Sequence, residues 1–170
     1  MKRSLLLFRH AKSNWDEPGL ADFDRPLAKR GRRAAERMGR EMAARQWQPD
    51  VALVSSALRT RQTWERAAKE LPRPVETRFV DAIYAAEPQD ILAEIRKAPP
   101  ACATLIVVGH NPGLEHIATL IASPDSDADA LARIAEKFPT GSLARFELDG
   151  AWEKLDRARL TDFVRPRDLD

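Results

Sequence analysis

Three short runs of almost uninterrupted apolar residues limit what this chain can fold into. They are SLLLF at 4–8, VALV at 51–54 and TLIVV at 104–108. A strand with one face in water alternates apolar and polar side chains, whereas a strand covered on both faces is apolar throughout. The three runs therefore predict buried strands of a mostly parallel sheet.

Helical patterns separate these strands. Within residues 28–47, Ala34, Met38 and Met42 recur every four positions, which predicts a helix with one apolar stripe. A second helix is predicted to end at about Leu71, and either Ser55 or Ser56 can cap its start. The other predicted elements before residue 123 are a strand at 75–80, a helix at 87–98 with Pro88 in its first turn, and a helix following Gly109-His110-Asn111.

The last third of the chain has weaker signals. Residues 123–139 are polar and predict a loop with a helical turn or two. SLARFEL and AWEKLDRARL flank Asp149-Gly150, a dipeptide typical of tight turns, and so predict a closing hairpin. The tail FVRPRDLD predicts irregular structure, as does the Pro-rich and acidic segment 16–27.

Strands that alternate with helices indicate an α/β fold. We expect a three-layer α/β/α sandwich with a mostly parallel central sheet and an antiparallel part at the end of the chain. A chain of 170 residues is long enough for a real core, so we expect one domain spanning residues 1–170.

Composition excludes several classes of protein. Lys and Arg number 28 against 26 acids, and this balance argues against a nucleic-acid-binding surface. The single cysteine, Cys102, excludes an internal disulfide and a Cys-rich zinc site. The first apolar run is too short for a signal peptide, and no run approaches the length needed to cross a bilayer. We expect a cytoplasmic protein with no membrane partner.

Unusual polar residues follow three of the predicted strands. Carboxyl ends of parallel strands meet at one edge of a sheet, where open α/β sheets bind their ligands. Each group alone also fits an ordinary turn or a solvated helix residue, but their shared position favours a site. The groups are Arg9-His10, then Ser55-Ser56 leading to Arg59, and Gly109-His110-Asn111.

Two arginines and two histidines together suit phosphoryl chemistry. A guanidinium fork holds two phosphoryl oxygens through charge-assisted hydrogen bonds. A neutral imidazole is a nucleophile for phosphorus, and a second imidazole stabilises an oxygen that gains charge in the transition state. The positive ends of helices that follow these strands would add to the attraction. The cations belong to the protein, so no metal or other cofactor is expected.

The motifs resemble those of the histidine phosphatase (phosphoglycerate-mutase-like) superfamily. FRHAKSNW is similar to its Arg-His-Gly motif, with Ala11 at the Gly position, and DVALVSSALRTRQT and LIVVGHNPGLE are similar to its later strand-and-turn segments. DRPLAKRGRRAAERMG and FPTGSLARFEL extend the resemblance over most of the chain. Within the superfamily, RHAKSNW and GHNPGLE look most like the SixA-type phosphohistidine phosphatases.

This resemblance implies a role for each of four residues. His10 would be the nucleophile, Arg9 and Arg59 the phosphate clamps, and His110 the transition-state stabiliser. The implied substrate is a phosphohistidine on another protein, such as a histidine-phosphotransfer domain.

The chain departs from the mutase-type relatives at two points. Lys12 stands where those relatives carry an acid, and Lys12 and Ser13 are candidate substrate contacts in its place; a solvated loop charge is the alternative for Lys12. The general acid has no convincing motif, since Asp81, Glu87 and Asp90 are weak candidates, and Glu87 before Pro88 fits a helix start. A phosphohistidine needs little acid help because its leaving imidazole is readily protonated.

Other functions stay open. The substrate could be a small phosphorylated metabolite, or the chain could bind phosphoproteins without catalysis. His116 is six residues after His110, which is not a zinc-helix spacing, and we expect it to be half-buried. The sequence does not decide the oligomeric state, or whether the acidic loop 16–24 closes over the site.

Overall fold

One six-stranded sheet organises the chain, and the computed structural model describes all residues from 1 to 170. The strands are β1 (Lys2–Arg9), β2 (Val51–Ser55), β3 (Glu76–Val80), β4 (Thr104–Gly109), β5 (Leu143–Asp149) and β6 (Arg159–Val164). The helices are α1 (Lys29–Ala44), α2 (Leu58–Ala68), α3 (Pro88–Arg96), α4 (Gly113–Ile121) and α5 (Ala128–Glu136).

The strands lie in the order β3-β2-β4-β1-β5-β6. β3, β2, β4 and β1 pair in parallel, and β5 and β6 add an antiparallel part on the β1 side. The predicted fold class is therefore confirmed. No helix is long and apolar enough to cross a membrane.

Both faces of the sheet are covered, as the apolar runs predict. In β1, Leu5 and Leu7 belong to the core under α3, α4 and α5, whereas Leu6 and Phe8 belong to the core under α1 and α2. All four side chains have no exposed surface. Burial of each contributes about 1.5–3 kcal/mol relative to exposure, so this alternation keeps β1 at the centre of a three-layer sandwich.

The register of the three central strands determines which residues meet at the carboxyl edge. Arg9 of β1 pairs with Gly109 of β4, and the His10 amide continues the pairing by donating to the Gly109 carbonyl at 3.0 Å. On the other side of β4, Val54 pairs with Val108. The residues that follow the three strands are therefore brought together.

Residues 123–139, predicted as a polar loop with a helical turn or two, contain a longer helix, because α5 occupies nine of them. The Asp127 side chain caps this helix by accepting from the Ala130 amide at 2.9 Å. Ala130 and Ile134, four residues apart, are its buried residues. Two buried residues make an apolar pattern too short to predict a helix of this length within a polar segment.

The predicted closing hairpin is confirmed, since β5 and β6 pair in antiparallel, but its tight turn at Asp149-Gly150 is wrong. Residues 150–158 form a longer connection with a 3-10 turn at Trp152–Lys154, and β6 begins only at Arg159. The Trp152 side chain lies in the core, 1% exposed, and its indole N–H donates to the Cys102 carbonyl at 2.7 Å. Burial of the Trp152 ring therefore holds residues 150–158 against the core and prevents a tight turn. Part of the tail predicted as irregular forms the end of β6.

The predicted serine cap of α2 is wrong as well. The N-cap is Ala57, with no side-chain cap. Ser55 is the last residue of β2, and the Ser56 hydroxyl donates to Asp81 instead.

Close packing of α1 against α2 generates a prediction. A Cβ on Gly39 would overlap the carbonyl oxygen of Ala67 in α2. We expect Gly39→Ala to lower the free energy of unfolding by about 1–3 kcal/mol, although Ala normally favours a helix over Gly. Arg33→Ala, at an exposed position of α1, is the control and should stay within about 0.5 kcal/mol of the parent. Denaturant unfolding measures both, and a more stable Gly39→Ala protein would contradict the close-packing argument.

Candidate active site

The four residues singled out at the strand ends lie together. The ring centroids of His10 and His110 are 5.3 Å apart, and the rings are tilted by 55°. His10, Arg59 and His110 are between 6% and 8% exposed, and Arg9 is half-buried. Both guanidinium charges act on both imidazoles. The strand register thus brings two guanidinium groups and two imidazole rings into one site.

The imidazole of His10 has a defined orientation. Its Nδ1 lies 2.7 Å from the carbonyl oxygen of Ala11. A carbonyl oxygen only accepts, so Nδ1 carries the hydrogen and Nε2 carries a lone pair. Burial, with a smaller effect from the Arg59 and Arg9 cations, lowers the pKa of His10 to about 4. The ring is therefore neutral at pH 7, with a free lone pair on Nε2.

Each of the two arginines is tethered at the end of its guanidinium group. Arg9 Nη1 donates to the Phe138 carbonyl at 2.9 Å. Arg59 donates to Asp22, from Nη1 to the backbone carbonyl at 2.7 Å and from Nη2 to the carboxylate at 3.0 Å. The Nε atom of each arginine is buried and has no hydrogen-bond partner. Both guanidinium groups are thus held in place by hydrogen bonds, and each keeps a free Nε–H donor.

His110 follows the same pattern. Its Nε2 lies 2.7 Å from the Ser55 hydroxyl, and its Nδ1 is buried without a partner. Burial first, and then His10 and Arg59, lower the pKa of His110 to about 3.

Unpaired polar atoms concentrate at this site. Only five buried side-chain nitrogen or oxygen atoms in the protein lack a partner, and three of them are Arg9 Nε, Arg59 Nε and His110 Nδ1. A buried donor without an acceptor costs about 1–3 kcal/mol. The two arginine Nε atoms are such donors, and they belong to cationic side chains, so the cluster indicates a binding site for an anion.

Two helices begin at the same edge. α2 starts at Leu58, directly after β2, and α4 starts at Gly113, directly after the turn that carries His110. Their N-terminal backbone amides and positive dipole ends favour negative charge there.

Asp22 is a site residue that sequence reasoning missed. Its carboxylate accepts from Arg59, from Arg25 at 2.9 and 3.2 Å, and from the Tyr84 hydroxyl at 2.6 Å. The hydroxyl of Tyr84 first, together with the two arginines, holds the pKa of Asp22 well below its usual range. The carboxylate is therefore ionised and has no proton to donate. The acidic loop thus contacts the site through Asp22.

The two weaker candidate substrate contacts, Lys12 and Ser13, lie in different surroundings. The Ser13 hydroxyl is buried and accepts from Arg25 Nη1 at 2.7 Å, so it is already engaged. The Lys12 side chain is exposed and makes no hydrogen bond. A role of either side chain in binding substrate stays a prediction.

The candidate general acids are engaged elsewhere. Asp81 accepts from the Ser56 hydroxyl. Glu87 and Asp90 form a capping box at the start of α3, which confirms Glu87 as a helix-start carboxylate. The expectation of a half-buried His116 is wrong, because its side chain is exposed.

The site opens into a cleft of about 430 Å³. Its lining includes Asp22, Arg59, Tyr84, Glu87, His110 and His116. A larger depression of about 910 Å³ lies between α1 and β6, but it lacks these residues, and its charges pair with one another, as Arg37 does with Asp170. No group of three or more His, Cys, Asp or Glu side chains is placed to hold a metal ion.

Comparison with known proteins identifies the family. A sequence profile of the "Histidine phosphatase superfamily (branch 1)" matches residues 5–79. The "Uncharacterized protein Rv1276c" of Mycobacterium tuberculosis is 38% identical over 162 residues, which cover 94% of this chain and 99% of that protein. The chain belongs to the histidine phosphatase superfamily, in its SixA-type group.

Two solved structures agree with this assignment. The "Putative Phosphohistidine Phosphatase SixA" of Nakamurella multipartitia has a TM-score of 0.85 at 30% identity, over 98% of this chain and 97% of that one. The "putative phosphohistidine phosphatase SixA" of Agrobacterium tumefaciens has a TM-score of 0.80 at 32% identity, over 96% and 98%.

The lowered pKa values of this histidine phosphatase predict acid sensitivity. Below about pH 6.5 the unfolded chain protonates His10 and His110, whereas the folded protein keeps both neutral until about pH 4. The unfolded state then binds more protons than the folded state, so the free energy of unfolding decreases as the pH is lowered from about 6.5 to about 4. Each histidine adds up to about 1.4 kcal/mol per pH unit to the slope. Denaturant unfolding of the parent, His10→Ala and His110→Ala proteins should show a shallower slope in each variant; equal slopes would contradict the assignment.

Proposed function

We propose that residues 1–170 form a single catalytic domain that removes the phosphoryl group from a phosphohistidine on another protein. The reaction passes through a covalent phosphohistidine at His10 and needs no metal. One observation carries the proposal: the lone pair of His10 Nε2 lies in a site whose other side chains, Arg9, Arg59 and His110, have buried donors without acceptors.

In the first step the phosphoryl group binds to the two arginines. Their free Nε edges donate to its oxygens and balance its charge. His10 Nε2 attacks phosphorus, the phosphorus–nitrogen bond of the substrate breaks, and the leaving imidazole takes a proton from water. The N–H of His110 donates to a phosphoryl oxygen, which gains charge in the transition state. In the second step water attacks phosphorus, and inorganic phosphate leaves His10.

The absence of a poised acid supports a phosphohistidine substrate. Asp22 is ionised, and Asp81 is engaged with Ser56. The alcohol group of a phosphomonoester leaves as an alkoxide unless a side chain of the enzyme donates a proton to it. The ring of a phosphohistidine can take a proton from water on its second nitrogen as the phosphorus–nitrogen bond breaks, so it leaves as neutral imidazole without a proton donor from the protein. This site therefore suits a phosphorus–nitrogen bond.

The surface beside the cleft supports a protein-borne substrate. Three of the six exposed large apolar side chains, Trp15, Leu20 and Phe23, lie in the segment that carries Asp22. Phe23 packs edge-on against Tyr84 with centroids 5.2 Å apart, and Tyr84 packs against His110 at 5.5 Å. An apolar rim this close to the reacting groups suits a partner surface such as a histidine-phosphotransfer domain.

Removal of the nucleophile tests the mechanism. We expect His10→Ala to lose at least about 10³-fold of the activity on a phosphorylated histidine-phosphotransfer protein and on p-nitrophenyl phosphate. Acid-quenched samples of the parent should contain phosphoprotein, and those of His10→Ala should contain none. Leu120→Ala, at an exposed position of the same helix as His116 but outside the cleft lining, is the control and should keep its activity.

The same assay separates the alternatives. EDTA should leave the rate unchanged. Full activity in His10→Ala would refute the covalent mechanism, and phosphate binding without any phosphoenzyme would favour a silent binding protein. Much faster turnover of a small phosphorylated metabolite than of the phosphoprotein would favour a metabolite phosphatase.

A second test addresses the protein substrate. Leu20→Ala removes part of the apolar rim, so KM for the phosphoprotein should rise about 3- to 10-fold while hydrolysis of p-nitrophenyl phosphate is unchanged. Leu120→Ala, the same substitution at an exposed site near the C-terminal end of α4, should change neither. Equal behaviour of the two variants on the phosphoprotein would contradict the rim as a contact surface.

A further inference from the structure

The two nitrogens of the His110 ring have different surroundings. Nε2 lies 2.7 Å from the Ser55 hydroxyl, and Nδ1 has no partner within the protein. The ring is neutral at pH 7, so only one nitrogen carries a hydrogen. The chemistry available to His110 depends on which nitrogen that is.

The hydrogen bonds of Ser55 decide this question. Its side chain is fully buried, and the Ala57 amide points at its oxygen from 3.4 Å. The hydroxyl hydrogen needs an acceptor of its own, and His110 Nε2 is the only one within hydrogen-bond distance. Ser55 therefore donates to Nε2, which must carry the lone pair, and the hydrogen of His110 is on Nδ1.

The opposite tautomer is unfavourable on both sides of the ring. With the hydrogen on Nε2, the Ser55 hydroxyl hydrogen would be buried without an acceptor. Nδ1 would then present a lone pair, which repels the oxygens of a phosphoryl group.

The fold holds Ser55 in position. Ser55 is the residue after Val54, which pairs with Val108 of β4, and its carbonyl accepts from the Thr60 hydroxyl at 2.8 Å. These contacts leave its hydroxyl beside the turn that carries His110.

We propose that Ser55 is a positioning residue, which fixes His110 in the tautomer with hydrogen on Nδ1 so that the ring donates to a phosphoryl oxygen. The catalytic part of this inference rests on the proposed function. The tautomer itself is a property of the free protein and can be measured without substrate.

The test combines ¹⁵N nuclear magnetic resonance at neutral pH with kinetics on p-nitrophenyl phosphate. In the parent, the His110 signals should show a protonated Nδ1 and an unprotonated Nε2. In Ser55→Ala, the hydrogen should move to Nε2 or exchange between the two nitrogens, and kcat should fall about 10- to 100-fold with little change in KM. Ser55→Thr keeps the hydroxyl and should restore both readouts.

Ser142→Ala is the matched control. Ser142 is also fully buried, and its hydroxyl has no partner, so the same substitution should alter neither the His110 signals nor kcat.

The proposal is overturned if the parent protein carries the hydrogen on Nε2, a result that does not depend on any variant folding. It is also overturned if Ser55→Ala keeps both the tautomer and kcat. A parent protein with the expected tautomer but no phosphatase activity would support the assignment of Ser55 and refute the proposed function, so the two failures are distinguishable.

Discussion

The parallel register of β1, β4 and β2 is the constraint on which the site depends. Arg9 pairs with Gly109, and Val54 pairs with Val108, so the residues after the three strands meet without any help from loops. The apolar alternation of β1 maintains this register, because a slip by one residue would exchange the side chains that face the two cores. The register of the sheet therefore brings these residues to one edge, and contacts from Phe138 and Asp22 complete their placement.

A second theme is the tethering of each functional side chain at one polar atom. The Ala11 and Phe138 carbonyls, Asp22 and Ser55 are the tethers of His10, Arg9, Arg59 and His110 respectively. The opposite polar atom of each side chain stays free. Such an arrangement lowers the reorganisation that binding of a phosphoryl group requires, because the donors are already oriented in a largely buried site. Backbone carbonyls supply two of the four tethers alone and contribute to a third, that of Arg59 at Asp22, so side-chain identity does not reveal them.

The sequence predicted which four residues would lie together better than it predicted their surroundings. Arg9, His10, Arg59 and His110 could be found because strand ends have a recognisable pattern and because parallel strands share an edge. Asp22 could not, since its partner Tyr84 is 62 residues away and both lie in irregular segments. The tight turn predicted at Asp149-Gly150 is wrong because the burial of Trp152 outweighs that local turn signal. Short-range patterns thus placed the strands, whereas long-range packing decided how the loops meet them.

The loop that carries Asp22 joins the protein surface to Arg59. The Trp15 ring, 70% exposed, stacks on the Arg25 guanidinium at 3.4 Å, Arg25 binds Asp22, and Asp22 binds Arg59. A macromolecule that engages Trp15 and an anion that engages Arg59 would therefore act on opposite ends of one chain of contacts. Thermodynamic linkage makes any such coupling reciprocal: the factor by which the macromolecule changes the affinity for the anion equals the factor by which the anion changes the affinity for the macromolecule. Binding of an anion at Arg59 and binding of a macromolecule at Trp15 would then change each other's affinity by the same factor.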